Sequence, residues 1–99
     1  MPSFKPIRIA DPATRDLQAI AEYTASEWGV KQKESYLNLI KQSFKSLSRS
    51  GNIGKKRDEI ASELYSYSVK KHVVFFRETK KEFLIIRVLH TRMDMEKQF

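Results

Sequence analysis

The fold is decided by residues 72–90, which read HVVFFRETKKEFLIIRVLH. Two runs rich in β-branched and aromatic residues, His72 to Glu78 and Phe83 to His90, flank the polar segment 79–82. A connection of this length suits a turn and is too short for a crossover between parallel strands. The two runs are therefore predicted to form an antiparallel β-hairpin.

Both faces of this hairpin are predicted to be apolar. If Glu78 opposes Phe83, one face carries Val73, Phe75, Leu84, Ile86 and Val88, and the other carries Val74, Phe76, Phe83, Ile85 and Leu89. A helical layer covers one face of such a sheet. The other face needs the N-terminal segment, the C-terminal tail, a second copy or another protein, unless a curved sheet buries both faces. We expect a partner site there.

A helix is predicted upstream of the hairpin. Asp11 is placed as its N-cap and Pro12 at the first helical position, where the missing N–H does no harm. Apolar residues at spacings of three and four then run to Trp28. Gly29 is expected to end this helix in the left-handed conformation.

A second helix is predicted to follow at once. Its apolar face runs from Val30 to Leu47, and residues 50–52, Ser-Gly-Asn, end it. The short connection at Gly29 makes the two helices an αα-hairpin.

The remaining segments complete an α+β fold. Phe4 to Ile9 is predicted to be a strand at a sheet edge, because it contains Pro6. Residues 51–63 are predicted to be a loop, Leu64 to Val69 a strand, and the tail from Arg92 to Phe99 one loose helical turn. Helices grouped early and strands late imply an αα-hairpin on one face of a three-stranded antiparallel sheet. Residues 1–99 are expected to form a single domain.

Composition narrows the functional classes. The chain has no cysteine, which excludes disulfides, zinc–thiolate sites and thiol nucleophiles. No metal-ligand cluster, phosphate-binding loop or dinucleotide motif is present, so no cofactor or metal is expected. No signal peptide or membrane-length apolar run is found, which predicts a cytoplasmic protein. The net charge of +7 fits either an acidic partner or a well-solvated surface.

Three residues near the end of the last strand are candidates for chemistry. Arg87 lies between aliphatic neighbours and is costly to bury unpaired, so it should form a salt bridge or stand at the mouth of a groove. Its candidate partners are Glu63, Glu78 and Asp94. His90 and Arg92 could support RNA cleavage by proton transfer and phosphate stabilisation. A hydrogen-bonded structural histidine is the alternative.

The chain resembles the ParE branch of the RelE/ParE toxin superfamily over nearly its whole length. Three stretches carry the resemblance: residues 16–29, with Asp16-Leu17, Ile20, Tyr23-Thr24 and Glu27-Trp28-Gly29; Asn52-Ile53-Gly54-Lys55; and Arg87-Val88-Leu89-His90 with Arg92-Met93-Asp94. The third stretch is the most specific to ParE proteins. A proline that usually precedes the second stretch is replaced here by Ser50 or Gly51.

The resemblance implies a RelE/ParE-like fold and a toxin of a type II toxin–antitoxin system, of the kind linked to plasmid stabilization. It implies neutralisation by a ParD-like antitoxin and poisoning of DNA gyrase, so the chain is expected to be an inhibitor rather than an enzyme. Candidate gyrase contacts are Arg87, His90, Arg92 and Met93. Candidate antitoxin contacts are Trp28, Val74, Phe76, Ile85, Arg87 and Leu89. No direct sequence-specific binding of nucleic acid is expected.

Two alternatives stay open at this point. One is a RelE-like, ribosome-dependent mRNA endonuclease with Arg87, His90 and Arg92 as its catalytic residues. Nucleases of that branch often carry a C-terminal tyrosine or histidine, and residues 93–99 contain neither. The other is a degenerate, non-toxic module that still binds an antitoxin.

Overall fold

The computed structural model describes residues 5–50 and 54–99, with the exception of the Ser50 side chain. Its elements are β1 (Ile7–Ile9), α1 (Asp11–Trp28), α2 (Val30–Ser50), β2 (Lys55–Lys56), β3 (Tyr65–Val69), β4 (His72–Glu78), β5 (Phe83–His90) and a 3-10 turn (Met95–Gln98). The predicted α+β order is confirmed. The predicted strand residue Phe4 and the predicted helix stop at Gly51 and Asn52 lie outside the described residues.

The sheet differs from the prediction in size and in direction. It has five strands in the order β1-β5-β4-β3-β2, so the three-stranded antiparallel sheet was an incomplete description. β1 runs parallel to β5, with Ile7 opposite Phe83, and the other pairs are antiparallel. The connection between β1 and β5 comprises the αα-hairpin and the strands β2 to β4, so it is long enough for a parallel pair. β2 has two residues, too few to show an alternating pattern, and lies in the predicted loop.

The residue that caps the start of α1 and the backbone conformation at its end both differ from the prediction. Its N-cap is Ala10, which has no side-chain acceptor, while Asp11 and Pro12 lie in the first turn. Asp11 there still suits the positive end of the helix dipole. Gly29 has φ 91° and ψ 165°, a positive-φ region outside the left-handed helix that glycine populates almost alone.

A β-bulge changes the faces of the hairpin. The predicted pair of Glu78 with Phe83 is confirmed, but the register shifts between Phe75 and Phe76, so that Phe75 opposes Arg87. The extra residue on β5 is Ile86. Past a bulge the alternation of side chains is inverted. Val88 therefore faces the helices and Leu89 faces away from them, the reverse of the predicted arrangement.

The chain covers both faces of its own sheet. The helices bury one face through Ala13, Ile20, Ile40, Phe44 and Leu47. The other face, with Leu64, Val73, Phe75 and Leu89, is covered by Ile60, Ala61 and Met95, and the Phe99 ring meets Phe75 edge-on at 5.0 Å. Neither the loop nor the tail has a periodic apolar pattern, so the sequence did not reveal this second layer.

Four candidate antitoxin contacts are consequently core residues. Val74, Phe76, Ile85 and Leu89 are each at most 2% exposed. They are not accessible to a partner in the folded chain, so the partner site expected on the second sheet face was wrong. The C-terminal tail, one of the alternatives considered, covers that face together with Ile60 and Ala61.

Gly54, from the second resembling stretch, marks a close approach of backbone to core. A Cβ at this position would lie 2.5 Å from Cζ of Phe76. The Phe76 ring is buried, so it has little room to move away. Glycine here lets the chain pass directly over the edge of the core and enter β2.

Candidate functional site

A groove of about 690 Å³ opens between the helical hairpin and one end of the sheet. That end is formed by the β3–β4 turn and by the end of β5. The lining comprises Ala19, Ile20, Tyr23, Thr24, Trp28, Gln32, Ser35, Tyr36, Leu39, Lys70, Lys71, His72, His90 and Arg92. A volume of this size lies within the usual range of ligand-binding clefts.

The helical wall of the groove carries large side chains that the fold leaves in solvent. Tyr23 is 66% exposed and Trp28 is 71% exposed, both on α1, and Leu39 on α2 is also exposed. Ile20, Thr24 and Trp28 follow one another at spacings of four, so they lie on one stripe of α1. Aromatic side chains clustered around a concave surface are typical of binding sites for other proteins.

The sheet end of the groove brings the two histidines together. His72 and His90 are directly opposite in β4 and β5, and their ring centroids lie 5.1 Å apart, edge to face. Without the bulge, His72 would oppose Leu89. The hydroxyl of Tyr36 is 2.6 Å from Nδ1 of His72, and the Arg92 backbone N–H donates to Nδ1 of His90 at 3.0 Å.

The environment of His72 keeps its ring neutral. Burial, and then the nearby His90, lower the pKa of His72 from 6.5 to about 4. Burial also raises the pKa of the Tyr36 hydroxyl, partly opposed by a hydrogen bond from the Lys71 backbone. Sequence reasoning missed both Tyr36 and His72, because their meeting depends on how α2 crosses the sheet.

Acidification is expected to destabilise the folded chain through His72. The unfolded histidine titrates near pH 6.5, whereas the folded pKa is about 4. Between these values the unfolded state binds a proton that the folded state does not, so this contribution is complete above pH 6.5 and is lost as pH falls toward 4. Since His72 keeps some solvent contact, we expect a loss of about 1–2 kcal/mol. Urea denaturation at neutral pH and near pH 4.5 measures this loss of unfolding free energy. The His72→Gln variant should lack the part of the loss that arises from His72. Equal pH dependence in both proteins would contradict the assignment.

Arg87 lies away from the groove in an internal salt bridge. Its Nε and Nη2 donate to the two carboxylate oxygens of Asp16 at 2.7 and 2.9 Å, and Nη1 donates to the Gln98 carbonyl at 3.1 Å. The hydrogen bond to Asp16 raises the pKa of the Arg87 guanidinium. A salt bridge was predicted, but Glu63, Glu78 and Asp94 were the wrong partners. Asp16 is far away in sequence, so no local pattern pointed to it.

Some of the candidate residues therefore line the groove and others do not. Trp28, His90 and Arg92 line the groove, while Arg87 does not. Met93 is exposed just beyond the groove lining. The residues proposed for RNA cleavage are therefore not assembled around one point.

Two further observations concern cofactors and membranes. Within residues 5–50 and 54–99, no group of three or more histidine, aspartate or glutamate side chains is placed to hold a metal ion. Neither helix, over its described length, is long and apolar enough to cross a bilayer.

The comparisons with known proteins agree on one family. Residues 7–95 match the family described as ParE toxin of type II toxin-antitoxin system, parDE. Toxin ParE1 of Mycobacterium tuberculosis is 31% identical over 90 residues, which are 90% of this chain and 92% of that protein. Toxin ParE of Escherichia coli is 31% identical over 84 residues, covering 84% of this chain and 82% of that protein.

A solved structure supports the same fold. It is described as the chromosomal ParDE TA system from P. aeruginosa and superposes with a TM-score of 0.76 at 20% identity. The match covers 88% of this chain and 96% of that chain.

The fold and groove define a small α+β domain with a surface suited to binding another protein. The family match shows that the chain belongs to the ParE toxin family of type II toxin–antitoxin systems. The resemblance noted in the sequence is confirmed.

Proposed function

We propose that this ParE-family toxin is held inactive by a ParD-like antitoxin and poisons DNA gyrase once released. In this function, residues 1–99 would act as one domain in the cytoplasm without a cofactor. The groove is the observation that carries it. An inhibitor that binds its target needs an accessible contact surface, and this groove combines exposed aromatic side chains with basic residues.

The groove also replaces the sheet face as the proposed antitoxin site. Its helical wall is apolar and aromatic, and its sheet end carries Lys70, Lys71 and Arg92. Among the residues that the structure describes, no aspartate or glutamate lines the groove. This combination suits an amphipathic, acidic segment that places apolar side chains against Trp28 and carboxylates against the basic end.

The proposed gyrase contacts are His90, Arg92 and Met93. They lie together at the end of β5 and in the turn that follows, whereas the guanidinium of Arg87 is already engaged by Asp16. His90 and Arg92 also line the groove. An antitoxin segment in the groove would therefore cover part of the surface proposed to meet gyrase, which explains neutralisation by simple competition.

The deciding experiment mixes purified toxin with gyrase and plasmid DNA. We expect linear plasmid to accumulate from trapped double-strand cleavage, and the antitoxin to suppress it. Arg92→Ala should weaken the effect, while Lys81→Ala, which removes an exposed charge from the β4–β5 turn, serves as the matched control. Unchanged supercoiling at high toxin concentration would count against gyrase as the target.

Ribosome-dependent RNA cleavage is the second candidate. It is favoured by the presence of two histidines and three cationic side chains at one end of the groove. Cell-free translation of a defined transcript tests it, with His90→Ala as the variant. Transcripts that stay intact in the translation mixture at a high toxin concentration would remove this candidate. Normal growth during expression without antitoxin would instead favour the non-toxic binding module.

A further inference from the structure

The turn between β3 and β4 contains an unusual residue for its backbone conformation. Val69 pairs with His72, which leaves Lys70 and Lys71 as a two-residue turn. Lys70 has a φ of 55°. Among the described non-glycine residues, Glu63 is the other one with a positive φ. Such turns favour glycine, asparagine or aspartate at positive φ, because a longer side chain with a Cβ is strained there. The local backbone therefore gives no reason for a lysine.

Contacts with other elements hold this turn in place. The Thr91 N–H donates to the Lys71 carbonyl at 2.9 Å, which ties the turn to the end of β5. His72, which follows the turn, is tied to α2, because its Nδ1 lies 2.6 Å from the Tyr36 hydroxyl. A residue in an unfavourable conformation persists when its surroundings determine the backbone in this way.

The charges at this end of the groove lack a counter-ion within the described parts of the chain. Lys5, Arg8 and Arg87 each form an ion pair with a carboxylate. Among the ion pairs of residues 5–50 and 54–99, none involves Lys70, Lys71 or Arg92. Three cations on one rim of an apolar groove repel one another, and a bound anion would relieve that repulsion.

We propose that Lys70, together with Lys71 and Arg92, binds a carboxylate of the antitoxin segment that occupies the groove, and that lysine is kept at position 70 at the expense of turn stability. This inference rests on the proposed function and specifies the partner chemistry at one end of the site. Because the backbone of the turn is already held in place and Lys70 lines the groove, only the lysine side chain has to be ordered when the partner arrives.

Lys70→Asn tests both parts of the inference. Asparagine tolerates positive φ and removes the charge. We expect the melting temperature of the free toxin to rise by about 3 °C. We also expect the dissociation constant for the purified protein encoded beside this chain's gene to rise about fivefold, with a weaker dependence on NaCl concentration.

Two control variants show whether the effects of Lys70→Asn come from the lost charge at this site and from the relieved backbone strain. Lys70→Arg keeps the charge and the strained residue, so both quantities should stay close to those of the unchanged protein. Lys81→Ala removes a cation from the turn at the other end of β4, outside the groove, and should leave affinity unchanged. An unchanged dissociation constant or an unchanged melting temperature for Lys70→Asn overturns the corresponding part of the inference.

Failure of this inference is distinguishable from failure of the proposed function. If the unchanged toxin does not bind the neighbouring gene's protein at all, the proposed partner is wrong and the inference falls with it. If binding occurs and Lys70→Asn does not alter it, the inference alone is wrong. A labelled single-stranded oligonucleotide serves as a second probe. If Lys70→Asn weakens oligonucleotide binding but not protein binding, the site takes phosphate, and the carboxylate assignment is overturned.

Discussion

Asp16→Ala is expected to lower the free energy of unfolding by about 3 kcal/mol. The Asp16 carboxylate accepts hydrogen bonds from Nε and Nη2 of Arg87 and from the backbone N–H of Val88 at 2.9 Å. The Arg87 and Asp16 side chains are only 21% and 14% exposed. Truncation would leave a largely covered guanidinium without its carboxylate and a strand N–H without its acceptor.

The position of Asp16 explains why its loss should affect the sheet. β1 ends at Ile9, which pairs with Ile85, and the Ala10 N–H donates to the Ile85 carbonyl. Beyond that point, no strand within residues 5–50 and 54–99 pairs with this side of β5. The Asp16 carboxylate on α1 accepts the hydrogen bond of the Val88 N–H at this strand edge. It thereby supplies the acceptor that a neighbouring strand would otherwise provide.

Urea denaturation at neutral pH measures this effect. Asp11→Ala is the matched control, because it removes a carboxylate from the first turn of the same helix where that carboxylate is exposed. Asp11→Ala is expected to lower the free energy of unfolding by less than about 1 kcal/mol. Asp16→Leu combined with Arg87→Met should recover much of the lost stability, since an apolar pair leaves no uncompensated charge. Equal effects of Asp16→Ala and Asp11→Ala would contradict the structural role of the ion pair.

Trp28→Ala is expected to weaken antitoxin binding about 100-fold while leaving the toxin folded. The indole is 71% exposed in the free chain, so its removal takes little from the core. In the complex, the ring would be buried against the partner at the mouth of the groove. Removal of a central tryptophan from an interface typically costs about 2–4 kcal/mol of binding free energy.

Val30→Ala is the matched control for this prediction. Val30 is 59% exposed, follows Gly29 directly and does not line the groove. Its truncation should change the dissociation constant less than about twofold. Calorimetric titration gives the affinities, and circular dichroism verifies that both variants are folded. An affinity for Trp28→Ala close to that of the unchanged toxin would exclude the groove as the antitoxin site.

The sequence predicted those elements whose signals are local. The spacing of apolar residues located α1 and α2, and Gly29 marked the junction between them. Alternation located β3, the runs rich in β-branched and aromatic residues located β4 and β5, and the short segment 79–82 set the pairing of Glu78 with Phe83. Trp28, His90 and Arg92 were likewise identified from the sequence, although their common groove was not.

Tertiary structure decided the features that depend on distant residues. Burial of the second sheet face relies on Ile60, Met95 and Phe99, which show no periodic pattern and reach the sheet only after the chain has turned back. The bulge at Ile86 exchanged the faces of Val88 and Leu89 and placed His72 opposite His90. The sequence by itself therefore located both helices and every strand except β2, because the pattern of apolar side chains is a property of neighbouring residues. Only the tertiary structure decided which surface remains open to a partner, because exposure depends on contacts between residues far apart in the chain.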